Sequence, residues 1–115
     1  MGGAAYLVLY EGRPADPDAF LDYYAGEHVP LLWRFPGIRC VEIDLGRDDG
    51  GFFMVVRLLF ESLDDLRTAI TSPEREDARA DMSENFPEFE GRVRHQVVEL
   101  TTVSPDGEMR PPLRA

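Results

Sequence analysis

The segment Phe52–Phe60 limits the possible folds more than any other part of the sequence, because eight of its nine residues are apolar. Successive side chains of a β-strand point to opposite faces of the sheet, so a strand here presents apolar groups on both faces. An antiparallel sheet with one face in water normally carries polar side chains on that face. The segment therefore predicts a strand in a sheet that is covered on both sides.

Turn and capping signals divide the rest of the chain into short elements. Asp16-Pro17 is typical of a helix start, Ser62 is a second candidate N-cap, and Pro30 is expected to kink or end the first helix. The predicted elements are a strand at Ala5–Glu11, a helix at 17–29 with an irregular turn to Phe35, strands at Ile38–Leu45 and Phe52–Phe60, a helix after Ser62, a charged, solvated surface helix over Glu74–Asn85, and a last strand at Val93–Val103.

This order of strand, helix, strand, strand, helix and strand is that of the ferredoxin-like βαββαβ plait, an α+β fold. It predicts one four-stranded antiparallel sheet with the helices on one face. A chain of 115 residues has no spare element for the other face. We therefore expect a homodimer in which the open sheet face of a second copy covers it. Residues 1–103 are expected to form one domain, followed by a proline-containing tail at 104–115.

The charge balance excludes several partners. Twenty-two acidic residues against twelve basic ones, all arginine, give a net charge of −10, which argues against nucleic acid and against an anionic membrane surface. No apolar run is long enough to span a membrane. The single cysteine, Cys40, lies in a predicted strand and is interpreted as a core residue rather than a nucleophile. One unpaired cysteine suits a reducing compartment, so a cytoplasmic location is expected.

Tyr24 and His28 lie four residues apart in the first predicted helix, with Phe20 one turn earlier. This spacing places the three side chains on one helix face. Because histidine titrates near neutral pH, His28 is a candidate general acid or base, with Tyr24 orienting a ligand. The alternative is a structural histidine near a helix C-terminus, stabilised by the helix dipole and a carbonyl oxygen.

A pocket between this helix and the sheet is the expected place for such chemistry. Besides the two candidate catalytic residues, the predicted lining consists of Phe20, Tyr6, Met54 and, close to the rim, Trp33. No metal is expected, because the histidines, the cysteine and the acids lack a recognisable ligand spacing. No nucleotide cofactor is expected either, because the sequence has no Gly-x-Gly-x-x-Gly motif or phosphate loop.

Two further polar residues each have two open interpretations. His95, in the last predicted strand, lies either at a sheet edge or interface or in the pocket. Arg57 interrupts an apolar strand, and a buried charge without a partner is costly. It either pairs with a carboxylate such as Glu42 or Glu99 or holds an anionic ligand.

Several short motifs resemble the signature of the EthD family, named for ethyl tert-butyl ether degradation, within the dimeric α+β barrel superfamily. The resemblance covers about residues 5–101. The matching segments are Asp18-Ala19-Phe20, Tyr23-Tyr24, Glu27-His28-Val29-Pro30-Leu31, Phe35-Pro36-Gly37-Ile38 and Asn85-Phe86-Pro87.

The resemblance implies a small dimeric barrel with a pocket between sheet and helices, and a histidine that recurs at the position of His28. Related barrels include monooxygenases that act on aromatic polyketides without metal or flavin, muconolactone isomerases, and dehydratases or cyclases. Two classes of function follow as expectations. The first is a cofactor-independent isomerase, cyclase, dehydratase or oxygenase that acts on a hydrophobic cyclic carbonyl or phenolic compound, with His28 as acid or base. The second is a non-catalytic barrel that binds a small molecule or serves as an accessory protein in a catabolic or secondary-metabolite pathway.

Overall fold

The computed structural model describes residues 3–48 and 50–110. The strands and helices are β1 (Gly3–Pro14), α1 (Pro17–Tyr23), a π-helical segment (Tyr24–His28), α2 (Val29–Leu32), β2 (Ile38–Leu45), β3 (Phe52–Phe60), α3 (Leu63–Ile70), α4 (Pro73–Glu84) and β4 (Phe89–Leu100). The main sheet has the order β2-β3-β1-β4, and each neighbouring pair is antiparallel. The ferredoxin-like α+β fold predicted from the order of elements is confirmed.

Side-chain caps begin three of the helices. The Asp16 carboxylate accepts a hydrogen bond from the backbone N–H of Ala19 at 3.1 Å, ahead of Pro17 in the first helical turn. Ser62 caps α3 through Asp65, and Ser72 caps α4 with Pro73 as its first residue. Each cap satisfies a backbone N–H that has no partner inside the helix. These local signals explain why the predicted starts of the first two helices are correct, whereas α4 begins one residue before the predicted Glu74.

The prediction that the first helix ends near residue 29 is wrong, because helical structure continues to Leu32. The π-helical segment ends at His28, so Pro30 falls in the first turn of α2. Proline is tolerated there because an N–H at that position needs no partner within the helix.

The last strand also differs from its prediction. β4 starts at Phe89 and ends at Leu100, whereas Val93–Val103 was expected. Thr102–Val103 (β5) instead pairs with Met109–Arg110 (β6) in a separate two-stranded hairpin. The start of the predicted 104–115 tail thus contains a turn and a short strand, and residues 111–115 lie outside the described residues.

The two faces of β3 have different surroundings. Met54, Val56, Leu58 and Phe60 are buried against the helices, together with Tyr6 and Tyr10 of β1 among other core residues. Val55, Arg57 and Leu59 point to the other face and are only half-buried. The described residues measure 19 Å along their shortest axis, which corresponds to one sheet and one helical layer. The second face of the apolar strand is therefore uncovered in the single chain.

Arg57 pairs across this open face with β2. Its guanidinium lies 2.9 Å from Glu42 Oε1, and Nε lies 3.1 Å from Asp44 Oδ2. Of the two predicted partners, Glu42 is correct and Glu99 is wrong, because β1 separates β3 from the strand that carries Glu99. Arg57 is thus placed by a structural ion pair.

Candidate active site

His28 and Asp81 form a buried pair between the π-helical segment and α4. His28 Nδ1 lies 2.8 Å from Asp81 Oδ2, and the two side chains are 5% and 10% exposed. A carboxylate only accepts hydrogen bonds, so this partner assigns the proton of the neutral ring to Nδ1. The lone pair of the neutral imidazole is then on Nε2.

Two further hydrogen bonds hold the Asp81 carboxylate. Its Oδ1 accepts the Tyr23 hydroxyl in a short hydrogen bond and the Asn85 side-chain amide at 3.0 Å. Burial raises the pKa of Asp81, but the hydrogen bonds from Tyr23, His28 and Asn85 outweigh burial and hold that pKa below its ordinary value. Asp81 is therefore ionised at neutral pH and fixed in one orientation.

The π-helical segment determines where the His28 ring lies. The backbone N–H of Val29 bonds to the carbonyl of Tyr24, five residues back, and such wider turns are frequent at functional sites. The imidazole lies between two aromatic rings, 5.0 Å from the ring centre of Tyr24 and 4.7 Å from that of Phe86. Both aromatic neighbours restrict rotation of the imidazole.

Burial controls the protonation of both candidate residues. It lowers the pKa of His28, and the Asp81 carboxylate offsets only part of that effect. Burial raises the pKa of Tyr24 well above 10, and the neighbouring Tyr10 raises it further. At neutral pH His28 is therefore a neutral base, while Tyr24 keeps its proton as a phenol.

His28 and Tyr24 border a narrow cavity of about 40 Å³ between the helices and the sheet. This volume holds about one water molecule. The cavity adjoins an open groove of about 470 Å³ that is lined by Arg75, Arg79, Met82, Ser83 and His95. Four of these residues, all but Ser83, border both spaces. The groove therefore has room for a ring-sized ligand, and the cavity beside His28 has room for a small group at the edge of such a ring.

Tyr6 and His95 connect the sheet to this groove. Their rings stack with centres 5.5 Å apart and planes inclined by 21°. Arg75 donates a hydrogen bond of 2.6 Å to the Tyr6 hydroxyl and one of 2.9 Å to the carbonyl of Ile70. Both interpretations of His95 apply, because β4 is an edge strand of the sheet and the exposed ring of His95 borders both cavity and groove.

Other parts of the described chain are weaker candidates for a functional site. An open depression at one end of the sheet, lined by Gly12, Arg13, Asp48, Gly51, Phe52 and Glu90, has no buried titratable side chain. Between residues 3 and 110, Asp49 apart, no three His, Cys, Asp or Glu side chains form a group that could hold a metal ion. The same residues contain no helix with the length and apolarity needed to cross a membrane.

Comparison with known families places this site in a wider context. The model of the EthD domain matches residues 13–90, which is more than half of the chain. The chain belongs to the EthD family. A relative of this EthD protein is an uncharacterized 11.0 kDa protein from the thcB-thcC intergenic region of Rhodococcus erythropolis, 33% identical over 86 residues that make up 70% of this chain and 81% of the relative.

Solved structures share the fold of this EthD protein at low sequence identity. An EthD family protein from Bacillus halodurans superposes with a TM-score of 0.70 at 19% identity, covering 84% of this chain and 96% of its own. A dimeric protein of unknown function with a ferredoxin-like fold, from Bacteroides fragilis, gives 0.60 at 18%, with coverages of 85% and 96%. The ActVA-Orf6 monooxygenase of Streptomyces coelicolor, in complex with nanaomycin D, gives 0.55 at 16%, with coverages of 90% and 88%.

The EthD protein brings together only part of the predicted site. Tyr6, Tyr24 and His28 border the cavity. Phe20 and Met54, 1% and 0% exposed, do not border it; the ring of Phe20 packs instead among Tyr10, Phe53, Phe86 and Phe89. Trp33 is 49% exposed after the end of α2 and borders neither the cavity nor the groove. The expected lining at Phe20, Met54 and Trp33 is therefore corrected.

The site residues that sequence reasoning missed lie mainly on α4. This helix was expected to be a solvated surface helix, yet Asp81 binds His28, and Arg75 and Arg79 line the groove. The apolar residues Ala78 and Met82, four residues apart, were the available signal that one face of this helix points inward, although they do not single out Asp81 among its acids. Because most residues of α4 are polar or charged, its inward-facing side was not recognised from the sequence.

Proposed function

We propose that this protein is a cofactor-independent enzyme in which His28 transfers a proton to or from a hydrophobic cyclic carbonyl or phenolic compound. The observation that carries the proposal is the buried His28–Asp81 pair at the wall of the cavity. A carboxylate that binds one ring nitrogen fixes the tautomer and stabilises the imidazolium that forms when the other nitrogen takes a proton.

The proposed chemical step is enolisation. Nε2 of His28 takes a proton from a carbon next to a carbonyl, the C–H electron pair forms a C=C bond, and the carbonyl oxygen becomes an enolate oxygen. The Tyr24 hydroxyl, which stays protonated, orients the ligand from the same cavity wall. Returning the proton to a different carbon isomerises the compound, so this step is common to several of the expected reaction types.

The substrate class rests on the shape and composition of the space. Tyr6, Tyr24 and Leu58 give the cavity an aromatic and aliphatic wall, and the adjoining groove has the size of a ring compound. The solved complex of the ActVA-Orf6 monooxygenase with nanaomycin D supports small-molecule binding on this fold. Its 16% identity does not extend that reaction to this chain.

The proposal includes a homodimer formed through the open sheet face. That face carries Leu7, Leu9, Val55 and Leu59, all half-buried in the single chain. These apolar side chains flank the ion pairs of Arg57 on the same face, and apolar surface exposed in this way is a liability in water unless another surface covers it. The dimeric ferredoxin-like protein from Bacteroides fragilis is consistent with this arrangement.

The test measures proton abstraction directly with a neutral probe. 2-Tetralone in D₂O exchanges its C1 protons for deuterium, and we expect the protein to accelerate this exchange, as followed by proton NMR. His28→Gln should lower the catalysed rate by about 10²- to 10⁴-fold. Asp81→Asn should lower it as well, because the amide does not stabilise the imidazolium. Treatment of the wild type with a chelator should leave the rate unchanged.

The control is Arg67→Gln, which changes an exposed residue of α3 away from the cavity. Circular dichroism of each variant separates lost activity from lost folding. A folded His28→Gln variant that exchanges as fast as the wild type would contradict the proposal. A wild type that binds the probe and does not accelerate exchange would instead favour the non-catalytic binding protein.

A further inference from the structure

Two arginines on α4 give the groove a positive charge in an otherwise acidic protein. Arg75, Arg79 and Met82 are spaced four and three residues apart, so they share one helix face. All three line the open groove, opposite His95 of β4. The chain as a whole has a net charge of −10, so the two arginines give the groove a charge opposite in sign to that of the whole chain.

Neither arginine of the groove is neutralised by an acid among the described residues. The recorded ion pairs of residues 3–48 and 50–110 use other arginines, namely Arg34, Arg39, Arg57, Arg92 and Arg94. Arg75 is half-buried, and its hydrogen bonds go to neutral oxygens, the Tyr6 hydroxyl and the Ile70 carbonyl. These neutral partners fix the guanidinium without cancelling its charge, and a guanidinium has five N–H groups in all.

Both arginines line the same groove as His95 and act on its protonation. Burial lowers the pKa of His95, and the nearby charges of Arg75 and Arg79 lower it further. His95 is therefore neutral at pH 7 and stacks on the Tyr6 ring. The groove thus combines two cations with an uncharged ring surface, an arrangement suited to an anionic group on a flat ring.

We propose that Arg75 and Arg79 bind a carboxylate carried by the ring of the substrate, and so direct the reactive edge of that ring toward the cavity at His28. This inference rests on the proposed function and names its substrate class, a ring-bearing carboxylic acid. Arginine favours this partner because the planar guanidinium matches a carboxylate with two parallel hydrogen bonds. Because the two arginines border both spaces, a ligand bound to them lies beside the cavity.

The test compares two probes of the same shape by isothermal titration calorimetry at pH 7. 2-Naphthoate carries the carboxylate, and 2-naphthol offers a neutral hydroxyl on the same ring. We expect 2-naphthoate to bind at least about tenfold more tightly than 2-naphthol, and its affinity to fall as ionic strength rises. Arg79→Gln should weaken 2-naphthoate binding by about tenfold and leave 2-naphthol binding unchanged.

Arg75 requires two variants because it also contacts Tyr6. Arg75→Lys keeps the charge without the planar fork, and Arg75→Gln removes both; binding of 2-naphthoate should decrease in that order, in variants shown to be folded by circular dichroism. Arg67→Gln, the matched loss of one arginine on α3, should bind both probes as the wild type does.

Equal affinity of the two probes, or 2-naphthoate binding that is unchanged in folded Arg79→Gln and Arg75→Gln, would overturn the inference. This failure is separable from failure of the proposed function. The calorimetric assay involves no proton transfer, and 2-tetralone in the exchange assay has no carboxylate. Exchange that depends on His28 without preference for 2-naphthoate would remove only the anion site.

Discussion

His28 Nδ1 and Asp81 Oδ2 are 2.8 Å apart although the two residues are 53 positions apart in the chain. The contact joins the end of the π-helical segment to α4 and lies beside a cavity. The Tyr23 hydroxyl and the Asn85 amide hold the carboxylate from the side opposite the imidazole contact, on Oδ1. This carboxylate partner distinguishes His28 from a histidine that binds only a carbonyl oxygen near a helix end.

The first prediction concerns the pKa values of the two histidines, which NMR titration of the imidazole Cε1–H signals measures. Both should lie below 6.5 in the wild type. In Asp81→Asn the pKa of His28 should decrease further, because the carboxylate raises it, while that of His95 should stay unchanged. In Arg79→Gln the pKa of His95 should rise toward 6.5, because a nearby positive charge disfavours protonation.

Each variant is thus the control for the other. An increase in the pKa of His28 in Asp81→Asn would contradict the assigned hydrogen bond between His28 and Asp81. A His95 pKa that does not move in Arg79→Gln would show that this arginine does not face the groove in solution.

The second prediction concerns stability against pH. A group whose pKa is lower in the folded chain than in the unfolded chain adds to the stability of the fold at pH values above its unfolded pKa. That contribution is lost as the pH falls through the folded pKa. For His28 and His95 the loss begins near 6.5, and for Asp81 a further loss begins near 3.8. The free energy of unfolding from urea titration should therefore be smaller at pH 5 than at pH 7.5.

The double variant His28→Gln with His95→Gln tests the origin of this change. In that variant the difference in stability between pH 7.5 and pH 5 should become smaller, since the two groups that take up protons on unfolding are gone. A wild type that is more stable at pH 5 than at pH 7.5 would contradict the lowered histidine pKa values.

The third prediction concerns the open sheet face. Sedimentation of the wild type at micromolar concentration should give twice the chain mass of 13.0 kDa. Leu59→Asp places a carboxylate on that face, between Ala5 of β1 and Cys40 of β2, and should give a monomer of reduced stability. The cost of burying an unpaired carboxylate is several kcal/mol, on the order of the stability of a small dimer interface.

The matched control is Thr68→Asp, an exposed position on α3, which should stay dimeric. A stable wild-type monomer, or a Leu59→Asp variant that remains a dimer, would show that a second copy does not cover this face.

Local sequence was sufficient for the architecture of this chain. The apolar run Phe52–Phe60 indicated a strand inside a sheet, and the capping residues Asp16 and Ser62 located two helix starts. Period, capping and turn chemistry act over a few residues, so they can be read directly along the chain. The spacing of Tyr24 and His28 likewise indicated the wall of the cavity, since neighbours on one helix face stay neighbours after folding.

Tertiary structure decided which residues distant in sequence contact the side chains at the wall of the cavity. Nothing local to α4 distinguishes Asp81 from its other acids, and only the packing of α4 against the first helical segment selects it as the partner of His28. In the same packing, the Phe20 ring lies in the aromatic core and Trp33 stays exposed. Local patterns fix the direction of a side chain around its own element, whereas the partner of that side chain depends on how the elements are arranged in space.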